Sequence, residues 1–303
     1  MSKKILIVTS TIDRTVDYII RKYSEYDFFR FNLDQFSQYQ LAITLDGFEI
    51  ANDYRAISSE DCMAIYYRKP MLENLEGVIA PEYQNFIFKE SYSAVEGLVD
   101  SFDGVCLSKP SIMRRANNKV YQLAKAKSVG FTFPELCITN SEKKINEFHQ
   151  SKTIVKPLAV GTVMHENEKE FVQTNIYNED CSKSSLKYAP SYFQLYAAKD
   201  FEVRATFVGT TCFAVKIRSE NDVDWRVRNN VIDYEVMQLP DLIYDQCIAF
   251  MDACEMQFGC FDFIVRENNW FFLEMNANGQ WAWLEFELGI NISGAIMEYL
   301  TCA

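Results

Sequence analysis

The chain has 303 residues, with 30 Lys and Arg against 42 Asp and Glu, for a formal net charge of −12. Hydrophobic residues make up 49% and charged residues 24%, which excludes a disordered chain because enough apolar surface can be buried to offset the entropy of ordering. The acidic balance argues against a general nucleic-acid binder, whose affinity comes from Lys and Arg on phosphates, and no apolar run is long enough to span a bilayer. Met1-Ser2-Lys3-Lys4 leads straight into a short strand, too short an apolar stretch for a secretory signal, so a cytoplasmic protein is expected. Nine cysteines show no CxxC or zinc-type spacing, and the two histidines, His149 and His165, have no partner pattern. Reduced thiols acting as small core side chains are expected, with no His-based zinc site.

In chain order, Ile5–Thr9 reads as a buried strand, Asp13–Ser24 as an amphipathic helix and Phe28–Phe31 as a second strand. Leu41–Leu45 and Phe48–Ile50 read as a hairpin about the turn Asp46-Gly47. Ala64–Tyr67, a helix from Glu82 to Ser101 and the strand Val105–Leu107 complete an α/β lobe with a mostly parallel sheet. No GxGxxG is present, so this lobe is not an evident dinucleotide binder.

Ser111–Gly130 reads as one helix, with Ser111 as its N-cap and Gly130 as its stop. Leu136–Thr139 and Thr153–Pro157 are expected strands around a helix from Ser141 to His149. Gly161–Leu186 is polar and reads as a hairpin with a mobile loop. Strands follow at Tyr192–Ala197, Glu202–Val208 and Cys212–Arg218, then a helix over Pro240–Gln257. The strand pair Cys260–Arg266 and Trp270–Met275 precedes two closing helices, Trp281–Leu288 and Ile292–Leu300.

The strand pair carries the chemistry. With its turn centred on Asn268, Asp262 and Glu274 oppose each other on one face, and Asn276 projects from that face two residues on. Opposed like charges are destabilising; a cation would relieve them. Two carboxylates and an amide oxygen, with no His or Cys, suit Mg²⁺, which keeps waters and shares its shell with phosphates. Lys156 at the end of an apolar strand is costly unless paired or bound to an anion. Lys119, on the Ser111–Gly130 helix, is a second candidate phosphate ligand.

Several stretches in order carry a family resemblance: Lys119 with Gln122-Leu123-Ala124-Lys125, Ile154-Val155-Lys156-Pro157, Phe193-Gln194-Leu195-Tyr196, Glu202-Val203-Arg204 and Asp262…Glu274-x-Asn276. Together they resemble an ATP-grasp ligase. Tyr67-Arg68-Lys69-Pro70, Asp224-Trp225-Arg226 and Phe272–Trp281 are similar to the branch that matures ribosomal peptides, the graspetide or microviridin-type ligases.

The resemblance implies an ATP-grasp fold in three parts: an N-terminal α/β domain over 1–110, a central subdomain with a lid hairpin over 111–193, and a C-terminal antiparallel-sheet subdomain over 194–303. It implies ATP and Mg²⁺, two ions, as cofactors. Lys119 and Lys156 would hold phosphates, and Asp262, Glu274 and Asn276 the metal. Gln194, Leu195, Tyr196 and Ala197 would form the hinge whose backbone reads adenine, and Glu202 would bind the ribose. Leu195 stands where an acidic residue is common. Arg204 and Arg226 would steady an acyl phosphate. The partner implied is a precursor peptide with a leader and a core containing Asp or Glu, Thr or Ser, and Lys, whose side chains are joined as esters or amides. Neither nucleic acid nor membrane is expected as a partner, and the assembly is left open between monomer and homodimer. Two other readings stay open: a ligase of the same chemistry acting on free amino acids or small metabolites, and a non-catalytic ATP- or peptide-binding module. The acidic stretch with Glu166, Glu168 and Glu170 is expected to lie beside the leader.

Overall fold

A computed structural model describes residues 3–148, 151–159, 161–165, 168–172, 174–178, 184–219 and 231–302, with backbone alone at 162–165 and 168–171. The first sheet is parallel throughout, in the order β2-β1-β6-β7: β1 (Lys4–Thr9), β2 (Phe28–Asn32), β6 (Cys62–Tyr67) and β7 (Val105–Leu107). Ile5 and Ile7 of β1 enter one core while Leu6 and Val8 enter the other, as strand alternation requires. Both faces are covered, which is why the strand is a continuous apolar run. Helix α1 (Arg14–Lys22) sits on one face, N-capped by the Asp13 side chain, which accepts from the amides of Thr15 and Val16. Helix α2 (Pro81–Ser101) packs Val95, Leu98 and Val99 into the other core.

A separate antiparallel sheet, β3 (Gln40–Thr44), β4 (Gly47–Ala51) and β5 (Ala56–Ser58), branches off between β2 and β6. Its tight turn is Leu45-Asp46 rather than Asp46-Gly47, since Thr44 pairs with Gly47.

The expected single helix over Ser111–Gly130 is two helices, α3 (Pro110–Asn117) and α4 (Lys119–Ser128). Asn118 breaks them: its backbone is extended, and its side chain accepts from the Tyr121 amide as the N-cap of α4. Ser111 is not an N-cap; it lies inside α3 and its hydroxyl donates to Asp100 at 2.9 Å. Gly130 ends the helical stretch with φ +87°, a left-handed conformation suited to glycine.

The central part is a small sheet in the order β12-β9-β13-β8, comprising β8 (Leu136–Thr139), β9 (Thr153–Lys156), β12 (Asn175–Ile176) and β13 (Ser191–Leu195), with α5 (Glu142–Phe148) between β8 and β9. Within the polar stretch Gly161–Leu186, β10 (Thr162–His165) and β11 (Glu168–Phe171) pair as an antiparallel hairpin.

The C-terminal sheet is antiparallel, in the order β16-β15-β14-β17-β18. It contains β14 (Phe201–Val208), β15 (Thr211–Ser219), β16 (Ile232–Met237), β17 (Phe258–Arg266) and β18 (Asn269–Asn276). Helix α6 (Asp241–Ala253) covers one face, where Phe250 joins Phe131, Phe261, Phe263 and Phe272 in an aromatic core. The helices α7 (Ala282–Leu288) and α8 (Ile292–Thr301) follow. Ile292, Ile296, Met297 and Leu300 of α8 pack with Ile5, Ile7 and Ala64 of the first sheet.

A polar knot joins the same regions. Buried Glu285 on α7 accepts from the Tyr18 hydroxyl and Lys22 Nζ on α1, both at 2.6 Å, and from the Ser293 amide at 2.7 Å. Burial pushes this carboxyl up, but the bonds from Lys22, Ser293 and Tyr18 outweigh it and hold it below its ordinary value.

Eight of the nine cysteines lie among the described residues, and all eight are unpaired thiols, as expected; Cys181 lies outside them. No described helix is long and apolar enough to cross a membrane.

Candidate active site

The β17–β18 hairpin turns on two residues, Glu267-Asn268, with Arg266 paired to Asn269; both turn residues have positive φ. That register alone would set Leu273 opposite Asp262. A bulge shifts it: Phe263 pairs with Phe272, yet Asp262 pairs with Glu274. The opposition expected from a turn centred on Asn268 is therefore present at the site, but through an extra residue in β18 rather than through the turn.

The bulge sorts the side chains. Phe261, Phe263, Phe272 and Met275 enter the core, so Asp262, Glu274 and Asn276 turn to the other face. Arg204 of β14 lies directly across from Asp262. Its Nη1 is 2.9 Å from both Asp262 oxygens, and both residues are buried, at 5% and 6% exposure. The Asn276 amide nitrogen bridges the acids, 3.3 Å from Asp262 and 3.2 Å from Glu274. Lys119, the first residue of α4, reaches Glu274 Oε2 at 3.1 Å. Arg204 and Lys119 thus neutralise the two carboxylates in the ligand-free chain.

Lys156 ends β9, its amine 4.3 Å from the Tyr192 ring centre and within electrostatic reach of Lys119, Glu274 and Asp262. Burial, reinforced by the charge of Lys119, pushes its amine down to about 8. Tyr192 and Gln194 share the face of Lys156 and Ile154, their partners in register. Gln194 is 1% exposed, and neither polar atom of its amide has a hydrogen-bond partner among the described residues. The Leu195 and Tyr196 amides donate to the carbonyls of Glu135 and Lys152, both at 2.8 Å. Donors for a base at this hinge therefore lie from Ala197 onward. Glu202 is buried and ion-paired with Lys199. Arg226 lies outside the described residues.

Of these residues, Lys119, Arg204, Glu274 and Asn276 line a cleft of about 1060 Å³, together with Lys69 and Gln280. Two features of its walls carry no role in the sequence reading. Arg68 is fully buried, with Nε 3.1 Å from Asp13, Nη2 2.8 Å from Gln280 and Nη1 3.3 Å from Asn278. It ties the end of β6 to the loop that follows Asn276. In that loop Gly279 sits where a Cβ would come within 2.5 Å of Cys260 Sγ, so the close approach requires glycine. The second feature is Gln122 of α4, 3% exposed, whose side chain accepts from the Met275 amide at 2.9 Å and donates to the Met275 carbonyl at 2.7 Å. Neither feature is readable from spacing, because Arg68 meets Asn278 and Gln280, and Gln122 meets Met275, across more than a hundred positions.

No group of three or more His, Cys, Asp or Glu suited to a metal exists among the described residues. The donor set Asp262, Glu274 and Asn276 nevertheless fits Mg²⁺, which takes one or two carboxylates and leaves positions for water and phosphate. The Asn276 amide here turns its nitrogen to the acids; serving as a ligand requires the oxygen in that place. The unpartnered Gln194 amide likewise fits a site that receives a polar base.

A family model described as the MvdD pre-ATP grasp domain matches residues 4–114. No curated protein matches the chain. Among solved structures, a RiPP-associated ATP-grasp ligase from Chryseobacterium gregarium, in complex with ADP and a leader and core peptide, is 26% identical. It covers 98% of this chain and 96% of its own, at a TM-score of 0.89. The macrocyclase MdnC from Microcystis aeruginosa, bound with the precursor peptide MdnA, is 23% identical over 99% of this chain and all of its own, also at 0.89. The ATP-grasp ligase PsnB, complexed with a phosphomimetic variant of a minimal precursor, Mg and ADP, is 17% identical at a TM-score of 0.80, covering all of this chain and 99% of its own. The chain therefore has the ATP-grasp fold and is similar from end to end to RiPP-associated ATP-grasp ligases.

Proposed function

We propose that the protein is an ATP-dependent ligase that joins side chains within a ribosomal precursor peptide, by way of an acyl phosphate, and depends on the leader of that peptide. The observation that carries this reading is the acid pair Asp262/Glu274 with Asn276 on one face, bordered by Lys119 and Arg204 beside a cleft, with Lys156 within electrostatic reach of both acids. Nucleophilic catalysis by the enzyme itself is not needed.

The chemistry divides among these residues. Lys119 and Lys156 bind and orient the phosphates of ATP. Gln194 and the backbone from Ala197 onward receive the adenine, and Glu202 the ribose. Asp262, Glu274 and Asn276 would hold Mg²⁺, expected as two ions, which would supply charge neutralisation at the transferring phosphoryl group. Lys119 and Arg204, which contact these acids, also lie where they can meet the reacting anions. A peptide Asp or Glu carboxylate oxygen attacks the γ-phosphorus and ADP leaves. Arg204, and by resemblance Arg226, hold the acyl phosphate while a Ser or Thr hydroxyl or a Lys amine attacks its carbonyl carbon. Inorganic phosphate leaves with the bonding electrons, and the attacking group loses its proton. Positioning and charge stabilisation account for the catalysis. Whether a ring closes as ester or amide follows from the nucleophile that the core presents.

Full-length precursor, its core alone and free amino acids, each incubated with the protein, ATP and Mg²⁺, test the reading by mass spectrometry and phosphate release. The expected result is loss of one water per bond and one phosphate per water, with full-length precursor only. Turnover of free amino acids, or none with any peptide, would overturn it.

A further inference from the structure

We infer that Gln122 is a positioning residue for the metal face: it locks the bulged register of β18 that turns Glu274 and Asn276 toward the cleft. This deepens the reading of Asp262, Glu274 and Asn276 as the metal ligands and rests on it.

The argument begins with the hairpin. From its turn, Arg266 pairs with Asn269 and the ladder runs without a break to Phe263 and Phe272. Continued unchanged, it would place Leu273 opposite Asp262 and Glu274 opposite Phe261. A one-residue slip moves every following side chain to the other face. Glu274 and Asn276 would enter the aromatic core, and Leu273 and Met275 would face the cleft. The bulge prevents this, so the site exists only in one of two registers open to the same hairpin.

Burial of Met275 favours the bulged register, and the outer edge of the strand fixes it. β18 is the last strand of its sheet, so its outward N–H and C=O groups lack a neighbouring strand. Residues 117–132 take that place. The Phe272 amide donates to the Thr132 carbonyl at 2.9 Å, before the bulge. After it, the Gln122 amide both accepts from and donates to Met275, as a residue of a further strand would. The Ala277 amide then donates to the Asn117 side chain at 3.1 Å. The second Gln122 N–H is spent on the Ala116 carbonyl at 2.9 Å, which holds the side chain to the α3–α4 junction. All of its polar capacity therefore serves to join the helix that carries Lys119 to the residue between Glu274 and Asn276. In the slipped register, Met275 would turn these groups away from Gln122.

Deletion of Leu273 separates this role from simple packing. Without the extra residue, the ladder from the turn brings Glu274 opposite Asp262 unaided, and the lock becomes unnecessary. Gln122→Met keeps the side-chain length and removes the hydrogen bonds. Two readouts apply: amide hydrogen exchange over 272–277 in the metal-free protein, and the Mg²⁺ dependence of ADP binding by calorimetry. Gln122→Met should speed exchange at Met275 and weaken the apparent Mg²⁺ affinity about tenfold or more, the usual effect of losing a partner that orients a ligand. In the Leu273-deleted chain the same substitution should leave Mg²⁺ affinity close to that of the deletion alone. Unchanged exchange and affinity in Gln122→Met would overturn the inference. So would an equal loss in both backgrounds, or failure to fold in both. If ADP binding by the unsubstituted protein shows no Mg²⁺ dependence, the metal reading fails instead, and the exchange at Met275 still decides the lock.

Discussion

Removing the guanidinium of Arg204 should leave Asp262 as a buried carboxylate without its countercharge. Both side chains are nearly inaccessible, and Nη1 sits 2.9 Å from each carboxylate oxygen. Breaking such a pair from one side costs about 3–5 kcal/mol, because the stranded charge is not rehydrated. Arg204→Met keeps most of the apolar stem. The Asn276 amide remains on Asp262 at 3.3 Å, so the lower end of that range, about 3 kcal/mol, is expected. Set against a typical total of about 5–15 kcal/mol, this is a large fraction of the stability. Urea unfolding without divalent metal would measure it. Adding Asp262→Asn should recover much of the loss, since the doubly substituted chain buries no unpaired charge. Millimolar Mg²⁺ should also recover part of it in the single variant by binding the native acid pair. A loss below about 1 kcal/mol, the range of exposed ion pairs, with no response to Mg²⁺, would refute the reasoning.

Three further outcomes follow from the same geometry. Glu274→Gln should abolish ATP turnover while leaving the fold intact, because it removes charge from a shared ligand of the metal; turnover near that of the unsubstituted protein at ordinary Mg²⁺ would contradict the site. Lys156→Ala should weaken ATP binding more than Lys187→Ala, which removes an exposed amine beside Tyr188. The Lys156 amine is held at about 8 in the free protein against an ordinary 10.5, so bound phosphate should raise it. Between those values ATP binding should take up protons and weaken as pH rises, which calorimetry in buffers of different ionisation enthalpy can measure, and Lys156→Ala should lose most of that uptake. The same depression means that burying the charged amine costs stability below pH 8, a cost relieved as pH climbs toward 10.5, where the unfolded chain also loses the proton. Leader peptide should slow hydrogen exchange across Gly161–Leu186 and raise turnover; exchange that is unchanged there and slowed elsewhere would move the leader to another surface.

Much of this was legible because it rests on local pattern. The apolar run Ile5–Val8, the alternation about Asp262 and the lysine at the end of β9 each carry their meaning in neighbouring residues. The break at Asn118 was also written locally, since asparagine competes with the helix backbone and favours caps, but the apolar spacing on either side reads as continuous. Strand β16 had its period of two, with Ile232, Tyr234 and Val236 against Asp233 and Glu235, and its acids hid it. The bulge at Leu273 was not legible. One leucine more in an apolar strand changes no pattern, and only the ladder to β17 reveals it. The bonds of Arg68 and Gln122 were equally silent, because their partners are distant in sequence and use backbone atoms or common polar side chains.

The packing of α8 against the first sheet, with Glu285 knotting α7 to α1, has a consequence for biosynthesis. One face of β1 and β6 is covered in part by α1 and completed by α7 and α8, which are synthesised far later. Until those helices emerge, Ile5, Ile7 and Ala64 have no complete shelter, and the nascent N-terminal lobe is a client for chaperones rather than a finished unit. A stop codon just before Ile292 should therefore do more than shorten the C-terminal part: it should send the entire chain to proteolysis, including a sheet whose last strand ends at Leu107.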